Sequence, residues 1–417
     1  MIQTIKGGAI CSGELTPPSS KSYAQRAVAA ALLSSGVSTL SSMELCNDTK
    51  ASLEVAEKLG AKIEKISNSE FKIQGGLAPL SSTLNIGESG LSTRLFTPVA
   101  SLCNNPITVT GHGSILTRPM TMMITPLEEL GVKIESNEGF LPFTVSGPIK
   151  GGMCHVDGSA SSQLLTGLLT ALPLAENDTT LKVNKLTSIP YIDMTIDVLK
   201  SFGVKIEHND YEEFFIKGEQ EYVARDYKIE GDWSGASCIL VAGAIAGDIT
   251  LYNMNPLSLQ ADVAIVDALV KAGAEVSSTP DSIRVTKREL HAFEFDATQC
   301  PDLFPALAAL AASCKGTTVL KGTKRLTHKE SNRAQAIASE YIKMGIEVDI
   351  SQENIMKITG GKIRGCEIDS HNDHRIAMAT AVSALVSEGE MEIHGGECVN
   401  KSYPLFWEDL KKISSYE

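Results

Sequence analysis

Long apolar stretches alternate along this chain with short segments in which hydrophobic and polar residues alternate. Each short segment, such as PITVTG or GDITLY, predicts a β-strand because successive side chains of a strand point to opposite faces. The long stretches are apolar on nearly every side, which predicts buried helices. There are six: SKSYAQRAVAAALLSSG, SGLSTRLFTPVASLC, SASSQLLTGLLTALPLA, WSGASCILVAGAIAG, CPDLFPALAALAASCKG and HNDHRIAMATAVSALVSEG.

A second, amphipathic helix follows in each block and ends at a glycine before a short strand. The fragments LGAKIEK, LGVKIES, FGVKIEH, AGAEVSS and MGIEVDI share this pattern, and their glycines are separated by 71, 72, 70 and 72 residues. Glycine suits the position after a helix because the residue there adopts a positive φ. The sequence therefore predicts six repeats of about 70 residues, each mixing strands and helices. The capping glycines are Gly60, Gly131, Gly203, Gly273 and Gly345.

Composition narrows the class of protein. A chain of 417 residues is too long to fold around a single hydrophobic core of ordinary size, so at least two domains are expected. A net charge of −13 disfavours nucleic-acid binding, which needs a basic face. Nine scattered cysteines without a CxxC pair indicate reduced thiols, and neither a signal peptide nor a membrane-spanning run is recognised. We expect a cytoplasmic monomer with no nucleic-acid or membrane partner.

Positive residues stand at the starts of the apolar helices. Capping explains the serines and Asp302 there, but not Lys21, Arg94 and Arg375, because the helix dipole disfavours cations in the first turn. Cations at such positions commonly share an anion with the helix end. Lys329 and Arg333, four residues apart, would share a helix face if their segment is helical. The other cations of the pattern are Arg26, Arg118 and Lys401.

Nine ordered motifs carry a resemblance over essentially the whole chain. They are PSSKSYAQR (18–26), GESGLSTR (87–94), TRPM (117–120), SASSQ (159–163), SIPYID (188–193), CPDLFPALA (300–308), HKESNR (328–333), NDHRIAMA (372–379) and VNKSYPLF (399–406). With these motifs the chain resembles the 5-enolpyruvylshikimate-3-phosphate (EPSP) synthase family. The resemblance implies transfer of the enolpyruvyl group of phosphoenolpyruvate to the 5-hydroxyl of shikimate 3-phosphate, on the route to chorismate and aromatic amino acids.

The same resemblance implies the architecture, which is an α/β (α+β) fold of two lobes forming an inverted α/β barrel. Each lobe holds three βαβαββ repeats, in agreement with the six repeats read from the pattern. Residues 1–19 and 229–417 would form one lobe and residues 20–228 the other. The hinge would lie near 12–20 and 226–232 and let the lobes close on ligand.

The resemblance also implies the ligand contacts. The residues implied for shikimate 3-phosphate are Lys21, Ser22, Arg26, Ser161, Ser162, Gln163, Ser188, Asp302 and Lys329. Those implied for phosphoenolpyruvate are Lys21, Gly90, Arg118, Gln163, Arg333, Arg375 and Lys401, with Arg94 and Tyr191 nearby.

Addition to the substrate needs a base for the hydroxyl proton and an acid for the methylene carbon. Asp302 is the expected base, because cations around it should keep it ionised. Glu330, Lys21 and Lys401 are all candidates for the acid. His371 and His374 form a lone HxxH without a spaced third ligand, so no metal is predicted. Neither GxxxxGK[ST] nor GxGxxG is found, so no nucleotide cofactor is predicted.

Four positions depart from the family's common pattern: Glu88, Leu91, Leu95 and Arg325. We expect the reaction to be unaffected, and the contacts around Gly90 and Arg325 to differ in detail.

Two alternative functions fit the sequence less well. The sister transferase acting on UDP-N-acetylglucosamine places cysteine where this chain has Gly113. A non-catalytic anion-binding protein would not need carboxylates among the cations.

Overall fold

A computed structural model describes residues 1–159, 161–327 and 329–416. Ala160 of the SASSQ motif and His328 of the HKESNR motif lie outside the described residues, as does Glu417. The α-helices are α1 (Lys21–Leu33), α2 (Asn47–Lys58), α3 (Gly90–Ala100), α4 (Ile124–Glu129), α5 (Gln163–Ala171), α6 (Ile189–Ser201), α7 (Trp233–Ala246), α8 (Ile265–Ala272), α9 (Phe304–Ala312), α10 (Arg333–Lys343), α11 (His374–Ala384) and α12 (Phe406–Ile413).

Short strands and 3-10 helices connect these helices. The strands are β1 (Ile2–Lys6), β2 (Ile10–Leu15), β3 (Ser34–Ser35), β4 (Val37–Ser41), β5 (Lys62–Lys65), β6 (Phe71–Gln74), β7 (Thr83–Asn85), β8 (Ile107–Thr110), β9 (Lys133–Asn137), β10 (Phe140–Ser146), β11 (Gly152–Asp157), β12 (Thr179–Asn184), β13 (Ile206–Asn209), β14 (Glu213–Ile216), β15 (Tyr222–Val223), β16 (Asp226–Lys228), β17 (Gly247–Tyr252), β18 (Glu275–Thr279), β19 (Ser282–Thr286), β20 (Glu294–Asp296), β21 (Thr317–Lys321), β22 (Glu347–Asp349), β23 (Ile355–Thr359), β24 (Glu367–Asp369), β25 (Glu390–His394) and β26 (Ser414–Ser415). The 3-10 helices are Gly113–Thr117, Thr121–Met123, Leu172–Leu174, Ala261–Ala264, Pro301–Leu303, Thr323–Leu326 and Gly396–Lys401.

The chain divides into two compact units. One, the continuous unit, is Ser19–Ile229; the other, the split unit, combines Met1–Pro18 with Glu230–Glu417. The chain therefore passes from one unit to the other twice, once after Pro18 and once after Ile229.

The continuous unit contains the same four-stranded sheet three times. The strand orders are β16-β4-β6-β5, β7-β8-β10-β9 and β11-β12-β14-β13. In each sheet the first strand is parallel to the second, and the remaining pairs are antiparallel. The first sheet takes β16 from the far end of the unit, so its pairing joins residues almost 190 positions apart in sequence, such as Asp226 with Thr39.

The split unit repeats this pattern, with strands supplied by the N-terminal segment. Its orders are β18-β19-β17-β2-β26, β20-β21-β23-β22 and β1-β25-β24. Strand β2 runs parallel to β17, as β16 does to β4, and β1 lies antiparallel to β25 in the third sheet. The N-terminal strands thus complete two of the three sheets of this unit.

The six predicted apolar helices are α1, α3 and α5 in the continuous unit and α7, α9 and α11 in the split unit. Every residue of α3, α9 and α11 is buried, which confirms the burial predicted from their composition. Helices α3 and α5 approach closely at Gly167, where an added Cβ would lie 2.1 Å from the carbonyl oxygen of Arg94. A larger residue there would separate the helices.

The predicted capping glycines end the second helices. Gly60, Gly131, Gly203, Gly273 and Gly345 have φ values of 120°, 86°, 86°, 95° and 83°, so all five adopt the left-handed conformation that the pattern predicts. None of the helices in the described ranges is long and apolar enough to span a bilayer.

Candidate active site

In the continuous unit, hydrogen bonds connect the beginnings of the three buried helices. Gln25 of α1 donates from Nε2 to the hydroxyls of Ser89 (2.9 Å) and Ser92 (2.7 Å) at the start of α3. Arg94 of α3 donates from Nη1 to Oε1 of Gln163 (2.7 Å), the first residue of α5. Helix N-termini carry free N–H groups and a partial positive charge, so three of them held together favour an anion.

Arg26 is a buried cation of α1, 2% exposed. Its guanidinium donates to neutral oxygens: Thr195 Oγ1 (2.9 Å), Ser22 O (2.8 Å), Tyr191 O (3.1 Å) and Thr166 Oγ1 (3.3 Å). Burial lowers the pKa of Arg26 to about 10, because these contacts supply no full negative charge. The positive charge is therefore poorly compensated by its protein contacts.

Lys21 and Ser22 begin the same helix and keep partly exposed side chains. Lys21 Nζ lies 3.0 Å from Asp48 Oδ2, an ion pair whose side chains are 15% and 12% exposed. Both predicted residues are thus at the helix start together with Arg26, whose side chain reaches back to the Ser22 carbonyl.

Gly90 opens α3 beneath the guanidinium of Arg118. A Cβ added at Gly90 would lie 2.6 Å from Arg118 Nη1, so the absence of a side chain admits this close approach. Arg118 is 8% exposed, and within the described residues its Nε has no hydrogen-bond partner. Glu88, one of the unusual positions, accepts hydrogen bonds from the backbone N–H (2.9 Å) and hydroxyl (3.0 Å) of Ser114, and so anchors the loop before Arg118.

The remaining predicted residues of this unit lie at the starts of α5 and α6. The Ser161 hydroxyl accepts from the backbone N–H of Gln163 at 3.2 Å, and Ser162 is the N-cap residue of α5. Ser188 precedes α6 with φ 58°, and its carbonyl accepts from the N–H of Tyr191 at 3.1 Å. Through Tyr191 O and Gln163, both helix starts are linked to the arginines described above.

In the split unit, Arg333 is the centre of an ionic network and is fully buried. It lies 2.6 Å from Asp302 Oδ1, 2.6 Å from Glu330 Oε2 and 2.8 Å from Asp373 Oδ2. Burial alone would lower the pKa of Arg333, but the three carboxylates raise it well above its ordinary value. Three of the predicted site residues are therefore in direct contact.

Asp302 lies in the 3-10 helix before α9 and contacts three cations. Besides Arg333, these are Lys329 Nζ at 3.1 Å and Arg375 Nη2 at 3.6 Å. Burial alone would raise the pKa of Asp302, but these charges hold it well below its ordinary value, so the carboxylate is ionised. Burial of Lys329 lowers its own pKa, although the negative charge of Asp302 acts to raise it.

Arg375 stands in the first turn of α11, where Asp373 is the N-cap residue and accepts from its backbone N–H at 3.0 Å. Its side chain donates from Nη2 to the hydroxyl of Ser234 at 3.0 Å. Lys401 is 7% exposed and donates to the carbonyl of Asn372 at 2.8 Å, next to that cap. The predicted cations of the split unit thus surround the starts of α9 and α11.

Lys329 and Arg333 would share a helix face only if their segment were helical, and this condition is not met. Helix α10 begins at Arg333, because Asn332 caps it by accepting the N–H of Gln335 at 3.4 Å. Lys329 precedes the helix and reaches Asp302 from the loop.

The residues that depart from the common family pattern, and the histidines of the HxxH motif, have the following surroundings. Arg325 donates to the carbonyl of Thr298 at 3.3 Å, and Leu91 and Leu95 are buried in α3. His371 Nε2 lies 2.8 Å from Glu340. Over the described ranges, no group of three His, Cys, Asp or Glu residues has a metal-binding arrangement.

Sequence reasoning missed several residues of these clusters, among them Asp373, Ser234 and Asp262. Asp373 could have been identified, because an acidic residue directly before a buried helix is a capping signal. Ser234 and Asp262 are 28 residues apart and meet only in the folded chain, so local patterns give no signal for that contact.

Comparisons with known proteins identify the family of the chain. The sequence model of the EPSP synthase (3-phosphoshikimate 1-carboxyvinyltransferase) family matches residues 5–410. A 3-phosphoshikimate 1-carboxyvinyltransferase of Clostridium novyi (strain NT) is 38% identical over 413 residues, which is 96% of this chain and 95% of the relative. One from Methanocorpusculum labreanum is 34% identical over 409 residues, or 97% of this chain and 96% of the relative.

Solved structures show the same fold. An EPSP synthase from Acinetobacter baumannii has a TM-score of 0.84 at 28% identity, covering 100% of this chain and 98% of that one. The enolpyruvyl transferase NikO from Streptomyces tendae, 17% identical with a TM-score of 0.79 over 99% of this chain and 97% of its own, supports the fold alone. The predicted fold class is confirmed, and the chain belongs to the EPSP synthase family of 3-phosphoshikimate 1-carboxyvinyltransferases.

Proposed function

We propose that the protein transfers the 1-carboxyvinyl group of phosphoenolpyruvate to the 5-hydroxyl of shikimate 3-phosphate in the cytoplasm, as a monomer without a cofactor. In the addition step the hydroxyl oxygen bonds to C2 of phosphoenolpyruvate, the hydroxyl loses its proton, and the methylene carbon gains one. In the elimination step the same carbon returns a proton and phosphate leaves. The observation that carries the proposal is the Arg333 network, which places two carboxylates of the motif set among three cations at buried helix starts.

Shikimate 3-phosphate takes its main contacts from the continuous unit in this proposal. Arg26 and Lys21 supply positive charge, and the hydroxyls and amide at the starts of α5 and α6 supply neutral hydrogen bonds. The poorly compensated charge of Arg26 supports this assignment, because a dianionic phosphate would provide the counter-charge that the protein does not. The assigned residues are Lys21, Ser22, Arg26, Ser161, Ser162, Gln163 and Ser188, together with Asp302 and Lys329 of the split unit.

Phosphoenolpyruvate carries a phosphate and a carboxylate, and so needs several cations. One close charge pair at intermediate dielectric contributes about 4 kcal/mol before desolvation, against about 0.3–1 kcal/mol for a helix end. Arginines are suited to this because they grip such groups with two hydrogen bonds. We assign the phosphoenolpyruvate contacts to Lys21, Gly90, Arg118, Gln163, Arg333, Arg375 and Lys401.

Asp302 and Glu330 are assigned to proton transfer. Asp302 is ionised and can accept a proton, but its low pKa weakens it as a base while Lys329, Arg333 and Arg375 contact it. Binding of anionic substrates would compete for those cations and so restore basicity to Asp302. The acid that protonates the methylene carbon is one of Glu330, Lys21 and Lys401.

The test measures phosphate release from phosphoenolpyruvate with and without shikimate 3-phosphate. We expect release only with both, and an Arg26→Met variant should raise the KM for shikimate 3-phosphate by more than about tenfold, as expected when charge-assisted hydrogen bonds are lost. The control is Arg284→Met, which removes an exposed arginine paired with Asp248 on the surface. Folded protein that releases no phosphate, or that requires UDP-N-acetylglucosamine instead, would contradict the proposal.

A further inference from the structure

Asp262 is a buried carboxylate beside the Arg375 guanidinium that the proposed reaction leaves without a role. It lies in the 3-10 helix Ala261–Ala264 and is 2% exposed. Its Oδ2 is hydrogen-bonded to the hydroxyl of Ser234 in the first turn of α7. Over the described residues its Oδ1 has no hydrogen-bond partner. A buried carboxylate with one oxygen that accepts no hydrogen bond is costly and calls for an explanation.

The contact continues from Ser234 to Arg375. The Ser234 hydroxyl accepts a hydrogen bond from Arg375 Nη2 at 3.0 Å. A hydroxyl has one proton and two lone pairs, so donating the proton to Asp262 leaves a lone pair for the guanidinium. The carboxylate thus fixes the direction of the hydroxyl, and the hydroxyl fixes one nitrogen of Arg375.

We infer that Asp262 is a positioning residue, which acts through the Ser234 hydroxyl to hold Arg375 in the orientation that receives the phosphoenolpyruvate anion. The inference rests on the proposed function, in which Arg375 binds that substrate. Asp262 itself touches no substrate in this scheme.

A purely structural role explains the contacts less well. A capping carboxylate would accept from backbone N–H groups of its own helix, but the carboxylate of Asp262 instead contacts a side chain 28 residues away. The backbone of α7 already has a cap, since Asp232 accepts from the N–H of Ser234 at 2.9 Å. The Ser234 hydroxyl is therefore not needed to cap the start of the helix, and its position between Asp262 and Arg375 is left to be explained.

The charge of Asp262 makes the arrangement sensitive to pH. Burial, and after it the charge of Asp302, raise the pKa of Asp262, while Arg375 opposes the rise; the net pKa is about 6. Asp232 also raises it, and the buried thiol of Cys300 faces it with a raised pKa of its own. Protonated Asp262 would donate to the Ser234 oxygen, and the hydroxyl proton would then lose the acceptor that fixes its direction.

Kinetics of Asp262→Ala, Ser234→Ala and the double variant test the inference. Each single variant should raise the KM for phosphoenolpyruvate about tenfold, as expected for one misaligned charge-assisted hydrogen bond, and leave the KM for shikimate 3-phosphate unchanged. The double variant should be no worse than either single one, because both act through one chain of contacts. Asp262→Asn keeps the shape of the side chain and removes its titration.

The pH profile supplies the second measurement. The ratio of wild-type to Asp262→Asn KM for phosphoenolpyruvate should change below about pH 6, and the titration of the substrate phosphate cancels in that ratio. Equal increases in both KM values, additive effects in the double variant, or a ratio independent of pH would each overturn the inference. The wild-type enzyme's phosphate release is the separate measure of the proposed function, so failure of one is distinguishable from failure of the other.

Discussion

Replacing Asp262 by Asn should stabilise the protein at neutral pH and lose that advantage in acid. The folded state raises the pKa of this carboxyl from 3.8 to about 6, because burial and the charge of Asp302 disfavour ionisation. Below pH 3.8, the pKa of the unfolded state, the Asp262 carboxyl is protonated in both states and its burial carries no charge penalty. As pH rises above this value and through the folded pKa of about 6, the buried carboxyl ionises and the free energy of unfolding falls.

The size of the effect follows from the shift. Each pKa unit corresponds to about 1.4 kcal/mol, so the penalty approaches about 3 kcal/mol well above pH 6. About 2 kcal/mol of it develops between about pH 4.5 and pH 7.5. Asn presents a carbonyl oxygen to the Ser234 hydroxyl without charge, so the variant should gain about that much relative to the wild type over this interval.

Urea unfolding followed by tryptophan fluorescence is a suitable assay, because both tryptophans, Trp233 and Trp407, belong to the split unit that contains Asp262. Trp233 directly precedes Ser234 in α7. The exposed substitution Asp281→Asn is the control, with an expected change within about 0.5 kcal/mol. A difference between variant and wild type that is the same at both pH values, or that falls as pH rises, would refute the reasoning.

Two further predictions concern the packing of the continuous unit and the movement of the units. Gly167→Ala should lower the free energy of unfolding by more than about 2 kcal/mol, because its Cβ would lie 2.1 Å from the carbonyl oxygen of Arg94. Gly361→Ala, whose nearest atom would be 3.8 Å away, is the control, and equal thermal unfolding of the two variants would contradict the prediction. The proposed hinge near 12–20 and 226–232 should reduce the radius of gyration measured by small-angle scattering when both substrates bind. An unchanged radius at saturation would argue against a hinge.

The parts of the fold that local physics decides were predictable from sequence. Apolar composition predicted the burial of α3, α9 and α11, and glycine spacing predicted the left-handed helix ends. The fold class and the enzyme class are confirmed by the family match. The motif residues assigned to substrates stay predictions, although the structure groups them at helix starts in each unit.

Other parts depended on contacts that a linear pattern does not contain. The pairing of β16 with β4 and of β2 with β17 brings distant segments into repeated sheets, which spacing alone does not specify. The separation of four residues places Lys329 and Arg333 on one face only in a helical segment, but the helix capped by Asn332 starts after Lys329. Asp262 could not be found, because its role depends on Ser234 reaching it across the fold.

Both clusters contain a buried arginine, but the charge of one is compensated by carboxylates and the charge of the other is not. This difference affects how substrates would bind. Arg333 has three carboxylate partners that raise its pKa, whereas Arg26 contacts neutral oxygens and has its pKa lowered to about 10. A dianion that binds at Arg26 would meet a positive charge that is not already paired with a carboxylate. In the proposed function, an anion that binds at Arg333 or Arg375 would compete with Asp302 and so free this carboxylate for proton transfer. Binding first at Arg26 would then be the less costly step, and binding at the second cluster would prepare Asp302 as the base.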